Sequence, residues 1–457
     1  IKLIFIRKIT SGGFFMIRKH GEEQPYISFG IFKVRIPGIH YKIEMPELIQ
    51  GLIIGTTALS TIAILTEYFG VSFDVAWGIV ILEVFLYMLH AFLGDPVVPG
   101  WITPAMPLVL AFISKYEGKE RLQSLMALQL IVAAIFIIMG ITKSAEKLLR
   151  IVPNSLKAGI LLSAAISAVY GEFKAGGRVE QYPYTILFGF ALLAFITFSN
   201  VFKRMRSKNR ILNIISSYGS LGPLLLALIF GIIVGELQMP QFEIGTFFKV
   251  VNFKEIINST SVFAVGFPPL KLFIDALPLA IVAYIIAFGD FVTSETLVKE
   301  AAEVRDDEKI DFDSNRSNII SGIRNGILAI IAPLPPLSGP LWAGVTATVS
   351  MRYRDGRKAM DSLIGGMGTF RIATFISVIL IPVVSLMKPI FPIGIALTLL
   401  IQGFICTRLA MEYCKTDTER GIAGITAAIL FTKGAAWGLA SGIILYLLLE
   451  GFKKDKF

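Results

Sequence analysis

Two stretches decide the reading of this chain. They are Gly94-Asp95-Pro96-Val97-Val98-Pro99-Gly100-Trp101-Ile102-Thr103-Pro104-Ala105 and Ala332-Pro333-Leu334-Pro335-Pro336-Leu337-Ser338-Gly339-Pro340-Leu341-Trp342-Ala343-Gly344. Prolines at this density remove amide donors and fix φ, so each stretch is extended and can enter a helix only at its first turn. The apolar run after each is too short to cross a bilayer, which takes roughly 20 residues. A proline-rich loop between ordinary spans would be followed by a full-length run. Extended backbone at membrane depth survives only where protein or a watery cavity covers it.

The surrounding composition supplies the membrane. Of 457 residues, 54% are hydrophobic and 17% charged, and the mean hydropathy is +0.71, which excludes an ordinary water-soluble globule. Spans are expected at 46–68, 74–92, a short 102–114, 122–141, 154–170, 184–202, 211–235, 275–299, 316–332, a second short 341–351, 360–383, 391–412, 418–433 and 435–452. Residues 1–44 form a cytoplasmic N-terminal segment whose alternating Ile31-Phe32-Lys33-Val34-Arg35-Ile36 fits a small strand or interfacial segment. The first seven-span repeat is 45–235, an extracytoplasmic linker is 236–272, and the second repeat is 273–457.

The net charge of +10 does not point to nucleic acid, because the basic residues crowd into short loops. Lys203-Arg204-Met205-Arg206-Ser207-Lys208-Asn209-Arg210, Arg352-Tyr353-Arg354-Asp355-Gly356-Arg357-Lys358 and Lys453-Lys454-Asp455-Lys456 all fall on one side when the span count is even, with both termini inside a cell membrane. The first residues, short, basic and interrupted by Ser11-Gly12-Gly13, do not read as a cleavable signal. Cys406 and Cys414 lie on one helix, where a disulfide is not expected. His20, His40 and His90 are scattered, so no metal ligand set is expected, nor any other cofactor beyond a coupling ion.

Each broken segment is third in its seven-span half. Matched interruptions of this kind point to the binding site of an inverted-repeat transporter, with half-helix N-termini presenting free amides and positive dipole ends to a shared centre. The fold expected is therefore an all-α polytopic membrane protein. It has two inverted repeats of seven transmembrane segments, with two short half-helices each preceded by an extended strand, divided into core and gate modules.

Short motifs resemble the nucleobase permeases, meaning the xanthine/uracil and adenine-guanine group, and more distantly the sulphate permeases and prestin. Leu277-Pro278 through Gly289-Asp290, then Thr293 to Val298, is similar to their eighth span; Pro335 and Gly344-Val345 fall at the tenth-span motif. Val152-Pro153-Asn154-Ser155-Leu156-Lys157-Ala158-Gly159-Ile160 is similar to the purine-permease fifth span, with Pro392 and Gly394 its counterpart in the twelfth. The resemblance implies the seven-plus-seven fold. It also implies carboxylates at the places of Ile286 and Leu341 and a histidine at that of Asp290, so recognition through paired glutamates does not carry over. The sulphate-permease group commonly continues into a cytoplasmic C-terminal domain, whereas this sequence stops soon after Glu450.

Asp290 is the leading candidate, because a carboxylate in an apolar helix costs a few kcal/mol unless it faces a polar cavity, titrates or meets a cation. Thr293 and Ser294 share its helix face, and Asp290 is assigned the ion-coupling role as well as substrate binding. Trp101 and Trp342 open the half-helices, where an indole could stack on a planar ligand or merely fill the repeat interface. Thr103, Ser338, Gly339 and Leu341 complete the expected substrate-binding set. Glu83 and Arg371 read as structural pairs or gate elements, and Asp95 as a residue of the cavity rim.

No nucleophile–base pair appears, so an enzyme or scaffold is the lesser reading. The function expected is secondary transport of a small planar or anionic solute, nucleobase-like or a small organic anion, coupled to protons or sodium by alternating access. The alternative is an anion exchanger or uniporter of the sulphate-permease kind. The partners expected are the solute, the bilayer and a second copy of the chain through the gate module, without nucleic acid.

Overall fold

The computed structural model describes residues 18–145, 152–209, 212, 221–241 and 245–451. The basic tail at 453–456 and the first seventeen residues lie outside them. A helix stands at each expected span. In the first half these are α1 (Met45–Phe69), α2 (Phe73–Phe92), α3 (Thr103–Ile113), α4 (Gly118–Thr142), α5 (Asn154–Phe173), α6 (Pro183–Phe198) and α7 (Leu221–Ile233). The second half holds α8 (Leu270–Ala302), α9 (Ser314–Ile331), α10 (Ala343–Arg354), α11 (Leu363–Ile379), α12 (Phe391–Tyr413), α13 (Asp417–Lys433) and α14 (Ala435–Leu449). The result is an all-α polytopic membrane fold, in which 6 helical segments among the described residues are long and apolar enough to cross a bilayer unaided.

The halves pack by exchange. Helix α4 lies against α8 and α9 of the other half, and α11, its counterpart, lies against α1 and α2. This reciprocity is what a two-fold inverted repeat produces, and it makes one body of α1–α4 with α8–α11. Helices α5, α6, α12 and α13 pack among themselves as a second body, with α7 on α6 and α14 on α13. Helix α3 touches both bodies, through α4 and α5.

Local chemistry explains the departures from straight spans. The middle of α1, Gly55–Ser60, tightens into a 3-10 stretch. There Thr56, Thr57, Ser60 and Thr61 each donate a hydroxyl hydrogen bond to the carbonyl three residues back. The expected span 184–202 is bent by 65° instead of continuous, because the Ser199 hydroxyl accepts from Val201 and Phe202 and so caps a new helix, Asn200–Lys208. Likewise 360–383 ends at Ile379, and Ile381–Met387 continues toward α12. The linker carries two short helices, Phe253–Thr260 and Val262–Val265.

The alternating segment before α1 is a hairpin of β1 (Ile27–Phe29) and β2 (Phe32–Val34). Its end docks on the α2 exit, where Lys33 and Arg35 donate backbone hydrogen bonds to Leu93 and Phe92. Arg18 forms ion pairs with Asp307 and Glu308 in the α8–α9 loop, at 2.7 and 3.2 Å. Asp307 also takes a hydrogen bond from Arg305, which holds its carboxyl down to about 2.

Candidate functional site

The two proline-rich leads meet in the middle of the molecule. Gly100–Trp101 (β3) pairs antiparallel with Ser338–Gly339 (β4), Gly100 opposite Gly339 and Trp101 opposite Ser338. Both glycines are demanded by the closeness of the crossing. A Cβ on Gly100 would stand 2.7 Å from the Leu341 carbonyl oxygen, and one on Gly339 would stand 3.0 Å from the backbone of Trp101 and Ile102. Neither lead can be replaced by helix, since the prolines at 96, 99, 333, 335, 336 and 340 withhold the donors.

From this crossing the half-helices depart, and their open ends differ. Ala343, Gly344 and Val345 begin α10 with no backbone acceptor for their amides among the described residues; Thr346 is the first to donate, to Trp342. Helix α3 offers less, because Pro104 lacks an amide and Ala105 already donates to Ile102 in a 3-10 turn. The donor-rich end at this centre is therefore that of α10.

A cavity of about 600 Å³ opens over the crossing. The first body contributes Gly100, Trp101, Thr103 and Pro104, then Leu341, Trp342, Ala343 and Gly344, with the 3-10 stretch of α1 and residues of α2, α8 and α11. The second body closes it with apolar residues of α12 and with Thr398 and Gln402. The cavity thus lies between the two bodies.

Of the expected site residues, Asp290, Thr293, Trp101, Thr103, Leu341 and Trp342 line this cavity. Asp290 is half-buried there, with no hydrogen bond or ion pair among the described residues, so it does not pair with Arg371. Ser294 is on the α8 face turned into protein, fully buried and without a partner for its hydroxyl. Ser338 and Gly339 sit behind the cavity in β4. The Ser338 backbone exchanges hydrogen bonds with the Asn325 amide, and the Gly339 carbonyl accepts from Arg324.

Arg371, expected as a structural pair or gate element, also reaches the cavity wall and has no carboxylate within ion-pair distance among the described residues. Its guanidinium lies among rings instead, 4.3 Å from the Tyr87 centroid, 5.4 Å from Trp342 and 5.8 Å from Phe370. Its Nε and Nη2 lack hydrogen-bond partners. Trp342 is both the residue before α10 and a wall of this cage, so the cation without an ion pair and the free α10 amides share one corner. Trp101 turns its indole N–H to Glu83, which also accepts the Tyr87 hydroxyl at 2.8 Å. Trp101 is thereby fixed rather than free to swing.

One expectation fails outright. Asp95 is not at a rim; it is fully buried, 2.7 Å from His90 Nδ1, because its backbone amide closes back onto the His90 carbonyl at the end of α2. Arg324 and Tyr87 escaped the sequence reading, although an arginine in the middle of α9 was a visible signal.

Neither a family model nor a curated protein matches the chain. Among solved structures it is similar to the transmembrane domain of a cyanobacterium bicarbonate transporter, BicA, with TM-score 0.53 and 14% identity over 88% of this chain and 99% of that one. It is similar to SLC26A9 with TM-score 0.54 and 15% identity, over 88% of this chain and 64% of that one. The murine Slc26a9 anion transporter in its inward-facing state gives 0.54 and 13%, over 90% and 69%. At these identities the likeness is one of fold, the seven-plus-seven arrangement.

Proposed function

We propose that the chain is a membrane carrier of a small anion, working by exchange or uniport as the body holding the half-helices moves against the other. The observation that carries this is the corner where Arg371, caged by rings and without an ion pair, meets the open amides of α10. An anion placed there would receive charge-assisted hydrogen bonds and the positive end of a helix dipole. The similar folds are those of a bicarbonate transporter and an anion transporter, which agrees with this chemistry. Nucleobase recognition through paired carboxylates finds no support, because Leu341 faces the cavity with an apolar side chain and Ile286 packs into the core.

Asp290 favours a second element, coupling. A carboxylate lining the cavity without a partner, beside Thr293, would carry a proton or hold sodium next to the anion. The basic loop at Arg352 to Lys358 orients the end that bears the β1–β2 hairpin toward the cytoplasm.

A thermal-shift screen of purified protein against chloride, bicarbonate, formate, uracil and xanthine tests the reading. A ligand bound by the folded state alone raises the melting temperature. Stabilisation by anions supports the proposal, and stabilisation by nucleobases alone removes it.

A further inference from the structure

Behind the cavity a chain of buried polar groups runs from one extended lead to the other. Asp95 Oδ2 lies 2.7 Å from His90 Nδ1, and His90 Nε2 lies 3.2 Å from Arg324 Nη1. Arg324 Nη1 also donates to the Gly339 carbonyl at 2.9 Å. All three side chains are fully buried. A guanidinium can only donate, so His90 Nε2 is the acceptor and the ring proton sits on Nδ1, where it donates to the Asp95 carboxylate. One arginine thus holds β4 by its carbonyl and, through a neutral histidine, holds the turn that leads into β3. Those two attachments flank the glycine crossing from which both half-helices depart.

The same guanidinium continues toward the cavity. Its central carbon is 4.3 Å from the Tyr87 ring centroid, the same distance at which Arg371 contacts that ring. The Tyr87 hydroxyl is tied to Glu83, and Glu83 to the indole of Trp101. Cavity-lining Arg371 therefore shares the Tyr87 ring with Arg324, and Trp101 is held by the carboxylate that Tyr87 bonds. Two arginines flank one ring whose hydroxyl is tied to Glu83, and Arg324 reaches Asp95 through His90, so the charge offered to the cavity depends on buried carboxylates that do not line it.

We infer that Asp95, His90 and Arg324 form a positioning relay for the anion site, fixing the crossing of the two leads and setting through Tyr87 the charge that Arg371 presents. The inference rests on the anion-carrier reading. None of the three touches the solute; each acts through another residue.

The test is exchange of radiolabelled chloride, bicarbonate or formate, whichever the wild-type protein exchanges fastest, in proteoliposomes. His90→Gln keeps an oxygen to accept from Arg324 and an N–H to give to Asp95, and its KM stays within about twofold of wild type. His90→Phe has the ring's size but neither group; the leads lose their common clamp and KM rises about tenfold. A purely structural role would lower the amount of active carrier, and so the maximal rate, without moving KM.

Asp95→Asn decides the matter if His90→Phe does not fold. The amide oxygen still accepts from Nδ1–H, but the charge offsetting Arg324 is gone, and KM falls about threefold. A folded His90→Phe with wild-type KM, or Asp95→Asn with unchanged KM, overturns the relay while leaving the carrier reading intact. Absence of exchange by the wild-type protein overturns the carrier reading and the relay with it.

Discussion

The crossing of the two leads leaves no room for a side chain at Gly100, and Gly100→Ala should show it. The added Cβ would lie 2.7 Å from the Leu341 carbonyl oxygen and 3.2 Å from the Trp342 Cβ, where ordinary contact begins at 3.4 Å. The obstructing atom is backbone, so relief requires the two leads to part by about 0.7 Å, and overpacking of this kind costs about 1–3 kcal/mol. The displaced segment is the one that delivers Trp342 and the first amides of α10. A shift of that size takes an N–H···O contact of about 2.9 Å out of hydrogen-bonding range. Losing one or two such bonds, at about 1 kcal/mol each, weakens anion binding about tenfold. The assay is a melting curve with and without chloride or bicarbonate, together with the binding constant from the ligand dependence of the midpoint. Gly344→Ala is the control for stability, since nothing lies within 4 Å of its Cβ position. A Gly100→Ala protein with unchanged melting temperature and anion affinity would refute the claim that the crossing sets the site.

Three further outcomes follow. Arg371→Gln should raise the anion dissociation constant roughly 10- to 100-fold, the range for a hydrogen bond to a charged group, while leaving the melting temperature no lower, because the buried cation has no ion pair to lose. Asp290→Asn should abolish accumulation driven by a proton or sodium gradient in liposomes and spare exchange; full accumulation by the variant would remove Asp290 from coupling. At the α8–α9 loop, the folded carboxyl of Asp307, at about 2, is below its unfolded value of about 3.9. Its contribution is therefore present above about pH 4 and lost as pH falls through about 2. Melting curves for wild type and Asp307→Asn should accordingly converge between pH 4 and pH 2, and a gap of constant size across that range would contradict the assignment.

The span pattern and the two broken helices were readable in the sequence because proline and hydropathy act locally. Pro96, Pro99, Pro333, Pro335, Pro336 and Pro340 keep the leads out of helix, Pro104 is admitted only at a first turn, and a carboxylate such as Asp290 is conspicuous in an apolar helix. The bend at Ser199 was less visible, since a serine serves equally as a helix residue and as a cap, and only the placement of its neighbours chooses. Asp95 was misplaced for a related reason. Its proline neighbours suggest an exposed turn, and nothing in the sequence says that His90 curls back beneath it. The exchange of α4 and α11 between halves, the closeness that makes Gly100 and Gly339 obligatory, and the meeting of Arg324 with Tyr87 join residues 234 or more positions apart or in different halves. Those are tertiary facts with no local signature. The substrate is the least legible part, because the donors at the corner proposed for it are chiefly backbone amides, which every residue except proline possesses.

The most direct measurement of the central claim is counterflow. Proteoliposomes loaded with unlabelled bicarbonate or chloride are diluted into the labelled anion, with no gradient of protons or sodium. A small-anion carrier takes up label saturably, faster than empty vesicles, and loses that uptake in Arg371→Gln. Uptake no faster than in protein-free vesicles for every anion tested, by protein that melts cooperatively, would contradict it.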